Sequence, residues 1–184
     1  ERISGLGTRV SVIDSPLFLT LCSALAGWKN SGKTTLTERL VAELCARGWR
    51  VSTVKHAHHD ADVDREGTDS FRHRQAGAGE VVLATGRRWA LMHELRGADE
   101  PSLEALLERL SPCDLVIVEG FKHEGHPKIE TRRRDAEKRT SSPAPGNVVA
   151  IAADHPVADA AVPVFALDAV PAIADFVETV TGLR

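Results

Sequence analysis

The segment Gly27-Trp28-Lys29-Asn30-Ser31-Gly32-Lys33-Thr34 constrains this chain most. It matches G-x-x-x-x-G-K-[ST] and sits between an apolar stretch, residues 18–26, and a helical pattern. From Lys33 onward, Leu36, Leu40, Val41, Leu44 and Cys45 recur at helical spacing, and Gly48 supplies a stop. The expected local structure is strand, glycine loop, helix. Such a loop lets successive backbone N–H groups, including those of Asn30 and Ser31, converge on an anion at the positive end of the helix. Gly27 and Gly32 permit that close approach, which a Cβ would obstruct. Lys33 stands in the first helical turn, where the helix dipole disfavours a cation, and a bound phosphate resolves that conflict. Thr34 then offers a hydroxyl to Mg²⁺, and Thr35 reaches a further phosphate.

Composition agrees with a fold built around such a loop. Of 184 residues 42% are apolar, but only five Phe, three Trp and no Tyr are present, so the core must be mainly Ala, Val, Leu and Ile. That suits buried parallel strands covered by helices better than a β-sandwich. The 23 basic and 26 acidic side chains give a net charge of −3, without the footprint of a nucleic-acid binder. No apolar run reaches the 18 or so residues that span a bilayer, so no membrane partner and a cytoplasmic location are expected. Cys22, Cys45 and Cys113 lie far apart with no CxxC pair and are expected to be small buried residues. Residues 1–16 begin at Glu1 without Met and contain Gly5, Gly7 and Pro16, the composition of a disordered leader or cloning remnant. Residues 17–184 are then one nucleotide-binding domain.

The rest of the chain continues the pattern. Residues 50–56 form a second strand and close a right-handed βαβ unit. A polar, acidic loop over 57–67 precedes a helix over 68–78, capped by Thr68 or Asp69. Residues 81–85 and 89–93 form a β-hairpin with Arg87 and Arg88 beside its turn. Leu103, Leu106, Leu107 and Leu110 share one face of a helix over 102–110. Strands follow at 115–118, 148–153 and 162–167, and a helix at 170–180 ends the chain. The fold class is α/β and P-loop NTPase-like, with a mainly parallel sheet flanked by helices and an inserted hairpin.

A phosphate loop of this kind is usually accompanied by a hydrophobic strand ending in a carboxylate that organises the metal. Leu115-Val116-Ile117-Val118-Glu119-Gly120 supplies it: Glu119 is the candidate Mg²⁺ ligand, directly or through water, and Gly120 leaves space for phosphate. Asp114, at the opposite end of the strand, lies roughly 13 Å away and is disfavoured. The alternative is an ordinary exposed acid at a strand terminus. In Lys55-His56-Ala57-His58-His59-Asp60 the histidines lack the spacing of a dedicated zinc site. The cluster follows the second strand, however, and ligands of open parallel sheets collect at such ends, so Asp60, with His56 second, could complete the magnesium shell. A solvated acidic loop is the competing reading. Residues 121–139 carry seven Lys or Arg against four Asp or Glu and are expected to be exposed.

The blocks GWKNSGKTTL at 27–36, KHAHHDADVD at 55–64, DSFRHRQAGA at 69–78, RWALMHE at 88–94 and DLVIVEGFKHEGHPKIE at 114–130 resemble, in this order, the MobB-type family of molybdopterin-guanine dinucleotide biosynthesis adaptors. The resemblance implies a GTP-binding homodimer with weak intrinsic hydrolysis. It would assist the guanylyltransferase that attaches GMP to molybdopterin and would contact molybdenum-cofactor enzymes. Carried over, Gly27, Gly32, Lys33, Thr34 and Thr35 hold the triphosphate and Glu119 serves the metal. Lys122, His123 and Lys128, with Arg87 and Arg88, become candidates for a dimer or cofactor-facing surface, against the plainer reading of a solvated face. Of the N-K-x-D pattern that reads guanine, Ile151-Ala152-Ala153-Asp154 keeps only the acid, so Asp154 is the base-reading candidate and discrimination against ATP is expected to be weaker. The competing function is a small-molecule or nucleotide kinase with RRRDAEKR as its lid. Two edges, the hairpin and a strand over 127–133, are candidates for pairing across a two-fold axis.

Overall fold

A computed structural model of the chain describes residues 21–23, 31–57, 63–121, 124–137 and 147–184. The leader expected over 1–16 lies outside the described residues. Two compact units divide the chain, one comprising 1–56 and 103–184, the other 57–102.

The larger unit is a six-stranded parallel sheet with helices. Its elements are β1 (Leu21–Ser23), α1 (Lys33–Ala46), β2 (Val51–Lys55), then, beyond the smaller unit, α3 (Leu103–Leu107), β5 (Leu115–Glu119), β6 (Lys128–Arg132), α4 (Arg134–Glu137), β7 (Val148–Ala153), β8 (Val164–Ala166) and α5 (Val170–Thr181). The strand order is β2-β5-β1-β6-β7-β8, with every pairing parallel. Period-two alternation in β5 explains why two faces need cover. Leu115 and Ile117 join Leu36, Leu40 and Leu44 of α1 and Ile173, Ala174 and Val177 of α5 on one face. Val116 and Val118 pack with Val54 and Leu103 on the other. The helical stripe of α1 and the alternation of β5 thus meet in one core. Among the described residues no helix is long and apolar enough to cross a membrane.

Four expectations are corrected. The strand near 127–133 is no edge: β6 bonds to β1 on one side and β7 on the other, leaving no free ladder for a second copy. Within β6, Lys128 is only 1% exposed and its ammonium donates to the Glu124 carbonyl, so it belongs to no solvated basic patch. Cys45 is exposed because it lies one residue, about 100° of helix, beyond the buried Leu44, and Cys113 is only partly buried. The helix expected over 102–110 is shorter, although Leu106, Leu107 and Leu110 still pack against the second core cluster.

The smaller unit holds α2 (Asp69–Gln75) and the antiparallel hairpin β3 (Glu80–Ala84) and β4 (Trp89–His93). Thr68 caps α2 by accepting from the Phe71 N–H at 3.5 Å. Arg74 pairs with Asp64 at 3.1 Å and Glu94 at 2.6 Å, which ties the loop before α2 to the strand end beyond it. Burial pushes the Asp64 carboxyl up, but hydrogen bonds from Ser70, Arg74, Thr68 and the Arg65 backbone outweigh it and leave the group below its ordinary range. Val82, Leu83, Trp89 and Leu91 are exposed on the hairpin.

One buried acid anchors α5 to the turn after α1. Glu178 is fully buried and accepts from Trp49 Nε1 at 2.6 Å, Arg47 Nη1 at 3.0 Å and Arg184 Nε at 3.1 Å. Removing it takes the acceptor from the Trp49 indole and one of the three carboxylates around the largely buried Arg47, which keeps Glu43 and Asp175. Glu178→Ala is expected to cost about 3 kcal/mol, read as a lower urea midpoint at unchanged slope. A change no larger than that of a surface substitution would contradict this account.

Candidate functional site

The register of the sheet places the site. Glu119 ends β5 opposite Ser23 of β1 and Lys55 of β2, so three strands finish at one level beside the amino end of α1. Gly32 precedes that helix at φ 89°, a left-handed conformation, and among the described residues no side chain caps the first turn. Ser31 is buried and its hydroxyl shares a 3.1 Å hydrogen bond with that of Thr131, which pins the loop to β6.

Thr34 Oγ1 donates to Glu119 Oε1 at 3.3 Å, and Lys55 Nζ lies 3.6 Å from the same oxygen. A hydroxyl and a carboxylate side by side at a phosphate loop are the hard oxygen donors that suit Mg²⁺, and Lys55 balances the carboxylate's charge. The donor set fits the metal. Of the predicted residues, the fold gathers Ser31, Gly32, Lys33, Thr34, Thr35 and Glu119 at this end; Gly27, Asn30 and Asp60, and also Lys122 and His123, lie outside the described residues. Asp114 is at the far end of β5, gripped by Arg50 through Nη2 at 2.7 Å and Nε at 3.1 Å. Those Arg50 hydrogen bonds hold its carboxyl below the ordinary range. Its role there is structural.

Gly120 differs from its sequence reading. At φ 106° a Cβ would come within 2.6 Å of His56 Cβ, so the room it leaves is taken by His56. The His56 N–H donates to the Glu119 carbonyl at 2.7 Å and its ring stacks on Phe121 with centroids 4.8 Å apart. This packing fixes the backbone on either side of Glu119.

On the other side of α1's first turn a cavity of about 530 Å³ runs from the loop to the carboxyl ends of β7 and β8. Its size is that of a small-molecule site. Gly32, Thr35, Arg133, Asp154, Phe165 and Asp168 contribute to its wall. Asp154 Oδ1 accepts from the Arg134 N–H at 3.0 Å and pairs with His155 Nδ1 at 2.7 Å. The His155 hydrogen bond holds the Asp154 carboxyl below its ordinary range; burial opposes this, and the Arg134 N–H and the Arg133 charge assist. The sequence reading missed Arg133, Phe165 and Asp168. Arg133 stands directly past β6, at the carboxyl end of the sheet, and that position was the signal for it. The position of Asp168 just past a late strand was the signal for that residue.

Comparison with known proteins gives the family. Residues 22–154 match the family model of molybdopterin guanine dinucleotide synthesis protein B. The molybdopterin-guanine dinucleotide biosynthesis adapter protein of Escherichia coli K12 is 43% identical over 157 residues, 84% of this chain and 89% of that protein. The chain belongs to the MobB family. The protein of the same name from Haemophilus influenzae is 42% identical over 160 residues, 84% of this chain and 85% of that protein. Among solved structures, the crystal structure of molybdopterin-guanine biosynthesis protein B superposes with a TM-score of 0.69 at 29% identity, covering 88% of this chain and 99% of that one. The MobB homolog from Bacillus stearothermophilus gives 0.63 at 30% identity, over 86% and 98%. The α/β, P-loop NTPase-like fold expected from the glycine loop and the alternation of strands and helices is the one observed.

The close approach at Gly120 is testable. Gly120→Ala places a Cβ against His56 in a left-handed backbone, and a loss of about 1–3 kcal/mol is expected in denaturant unfolding. A variant as stable as the parent would show that the contact yields freely.

Proposed function

We propose that this MobB-family chain binds GTP with Mg²⁺ and assists the guanylation of molybdopterin to molybdopterin-guanine dinucleotide. The observation that carries the reading is the pairing of Thr34 with Glu119 at the uncapped start of α1, beside a cavity of nucleoside size. The adapter names of its relatives support the pathway. The loop amides from Gly27 through Gly32, with Asn30 and Ser31 among them, hold phosphate oxygens, and Lys33 adds an ammonium. Thr35 binds a further phosphate oxygen. Thr34 and Glu119 would hold Mg²⁺, and the ion would neutralise phosphate charge. Asp154 accepts from the guanine N1 and N2 hydrogens. Glu119 is committed to the metal and so is not left to activate water, which favours slow hydrolysis.

The partners of this reading are the molybdenum cofactor guanylyltransferase and enzymes that handle molybdopterin, in the cytoplasm. Self-association is assigned to the hairpin, where exposed Val82, Leu83, Trp89 and Leu91 sit on a sheet of only two strands.

Calorimetric titration with GTP and ATP, with and without Mg²⁺, tests the reading. GTP is expected to bind more tightly than ATP, Lys33→Ala to lose affinity by more than tenfold, and Glu119→Gln to lose the Mg²⁺ dependence. Equal affinity of the Lys33→Ala variant would contradict it. Phosphorylation of a metabolite from cell extract faster than release of free phosphate would instead establish a kinase. For the base, Asp154→Asn is expected to shift preference from GTP towards xanthosine triphosphate, since the carboxylate's paired acceptance is lost; an unchanged ratio removes Asp154 from that role.

A further inference from the structure

We propose that Arg133 is a nucleotide-contacting arginine that the chain supplies to its own phosphate loop, gripping the phosphates nearest the nucleoside. The inference rests on the reading of that loop as a GTP site.

Arg133 follows β6 directly, at the carboxyl end of the sheet, and Asp154 fastens the backbone on both sides of it. The Arg134 N–H donates to Asp154 Oδ1 at 3.0 Å, and the Asp154 N–H donates to the Arg132 carbonyl at 3.3 Å. Projected from this turn, the guanidinium lies against the phosphate loop: a Cβ built on Gly32 would meet Arg133 Nε at 2.8 Å, Nη2 at 3.0 Å and Cζ at 3.1 Å. Gly32 therefore serves two purposes, a left-handed turn into α1 and a seat for a cation.

The hydrogen-bonding state of this side chain points to a ligand. Arg133 Nε is buried and has no acceptor among the described residues. By contrast Arg47, Arg50 and Arg132 in the same unit all pair with carboxylates. A buried donor on a charged group is costly without an acceptor, and native structures rarely tolerate one without cause. Arg133 and Thr35 both line the cavity, whereas Thr34 is bonded to Glu119. An anionic oxygen entering beside Thr35 would satisfy Nε, and a guanidinium is the side chain best shaped to hold phosphate oxygens in pairs. The contact thus falls on the nucleoside side of the chain of phosphates, away from the metal ligands.

GTP and GDP titrations of the full chain, its Arg133→Ala and Arg133→Lys variants and the Lys33→Ala control test this. Arg133→Ala is expected to weaken GTP and GDP alike by at least tenfold while leaving the Mg²⁺ dependence intact. Arg133→Lys, which keeps the charge and the fold but loses the fork, is expected to fall between. Unchanged affinity in both Arg133 variants, with Lys33→Ala still losing GTP, overturns the role of Arg133 and leaves the GTP site standing. Loss confined to GTP overturns the assignment to the phosphates nearest the nucleoside. A parent protein that binds neither nucleotide overturns the underlying reading and this inference with it.

Discussion

The parallel pairing of β5 with β1 and β2 is the constraint on which the site depends. Because Ser23, Lys55 and Glu119 share one level of the sheet, the carboxylate that ends β5 reaches the hydroxyl of Thr34 in the first turn of α1. The buried core supplies the stiffness behind that contact. Leu36, Leu40 and Leu44 press α1 onto Leu115 and Ile117, so the helix start and the strand end move as one body. Functional groups carried on helices and strands are held more precisely than groups carried on loops.

Around this axis the chain separates two kinds of chemistry. Hard oxygen donors, Thr34 and Glu119, occupy one side of the first helical turn, while the cavity with Thr35, Arg133 and Asp154 occupies the other. The small packing contacts matter as much as the ligands. His56 fills the space at Gly120, which its close backbone approach reserves for glycine, and the Arg133 guanidinium lies at Gly32, where the left-handed φ favours glycine. Bound to a nucleotide, the first arrangement would meet the metal and the second the nucleoside end.

Much of this was legible in the sequence because it is carried by short-range pattern. The glycine loop, the helical stripe from Leu36 to Leu44, the apolar run ending in Glu119 and the hairpin turn near Gly86 all announce themselves within a few residues. The preference for Glu119 over Asp114 rested on their places at opposite ends of the strand, and Arg50 holds Asp114 at the end away from Thr34. What escaped depends on tertiary placement. Three successive arginines at 132–134 read as a solvated run, but the strand that ends at Arg132 is interior, so the next residue, Arg133, is delivered to the loop. Lys128 likewise looks like a surface cation until the sheet order buries it. Asp168 and Phe165 carry no motif, and only the adjacency of β7 and β8 brings them to the cavity.

A structure of the chain crystallised with Mg²⁺ and a non-hydrolysable GTP analogue tests the central claim most directly. The account predicts the metal between Thr34 and Glu119, the β and γ phosphates on the loop with Lys33, and the guanosine in the cavity bounded by Thr35, Arg133 and Asp154. An analogue seated elsewhere, or a metal held without Glu119, would contradict it.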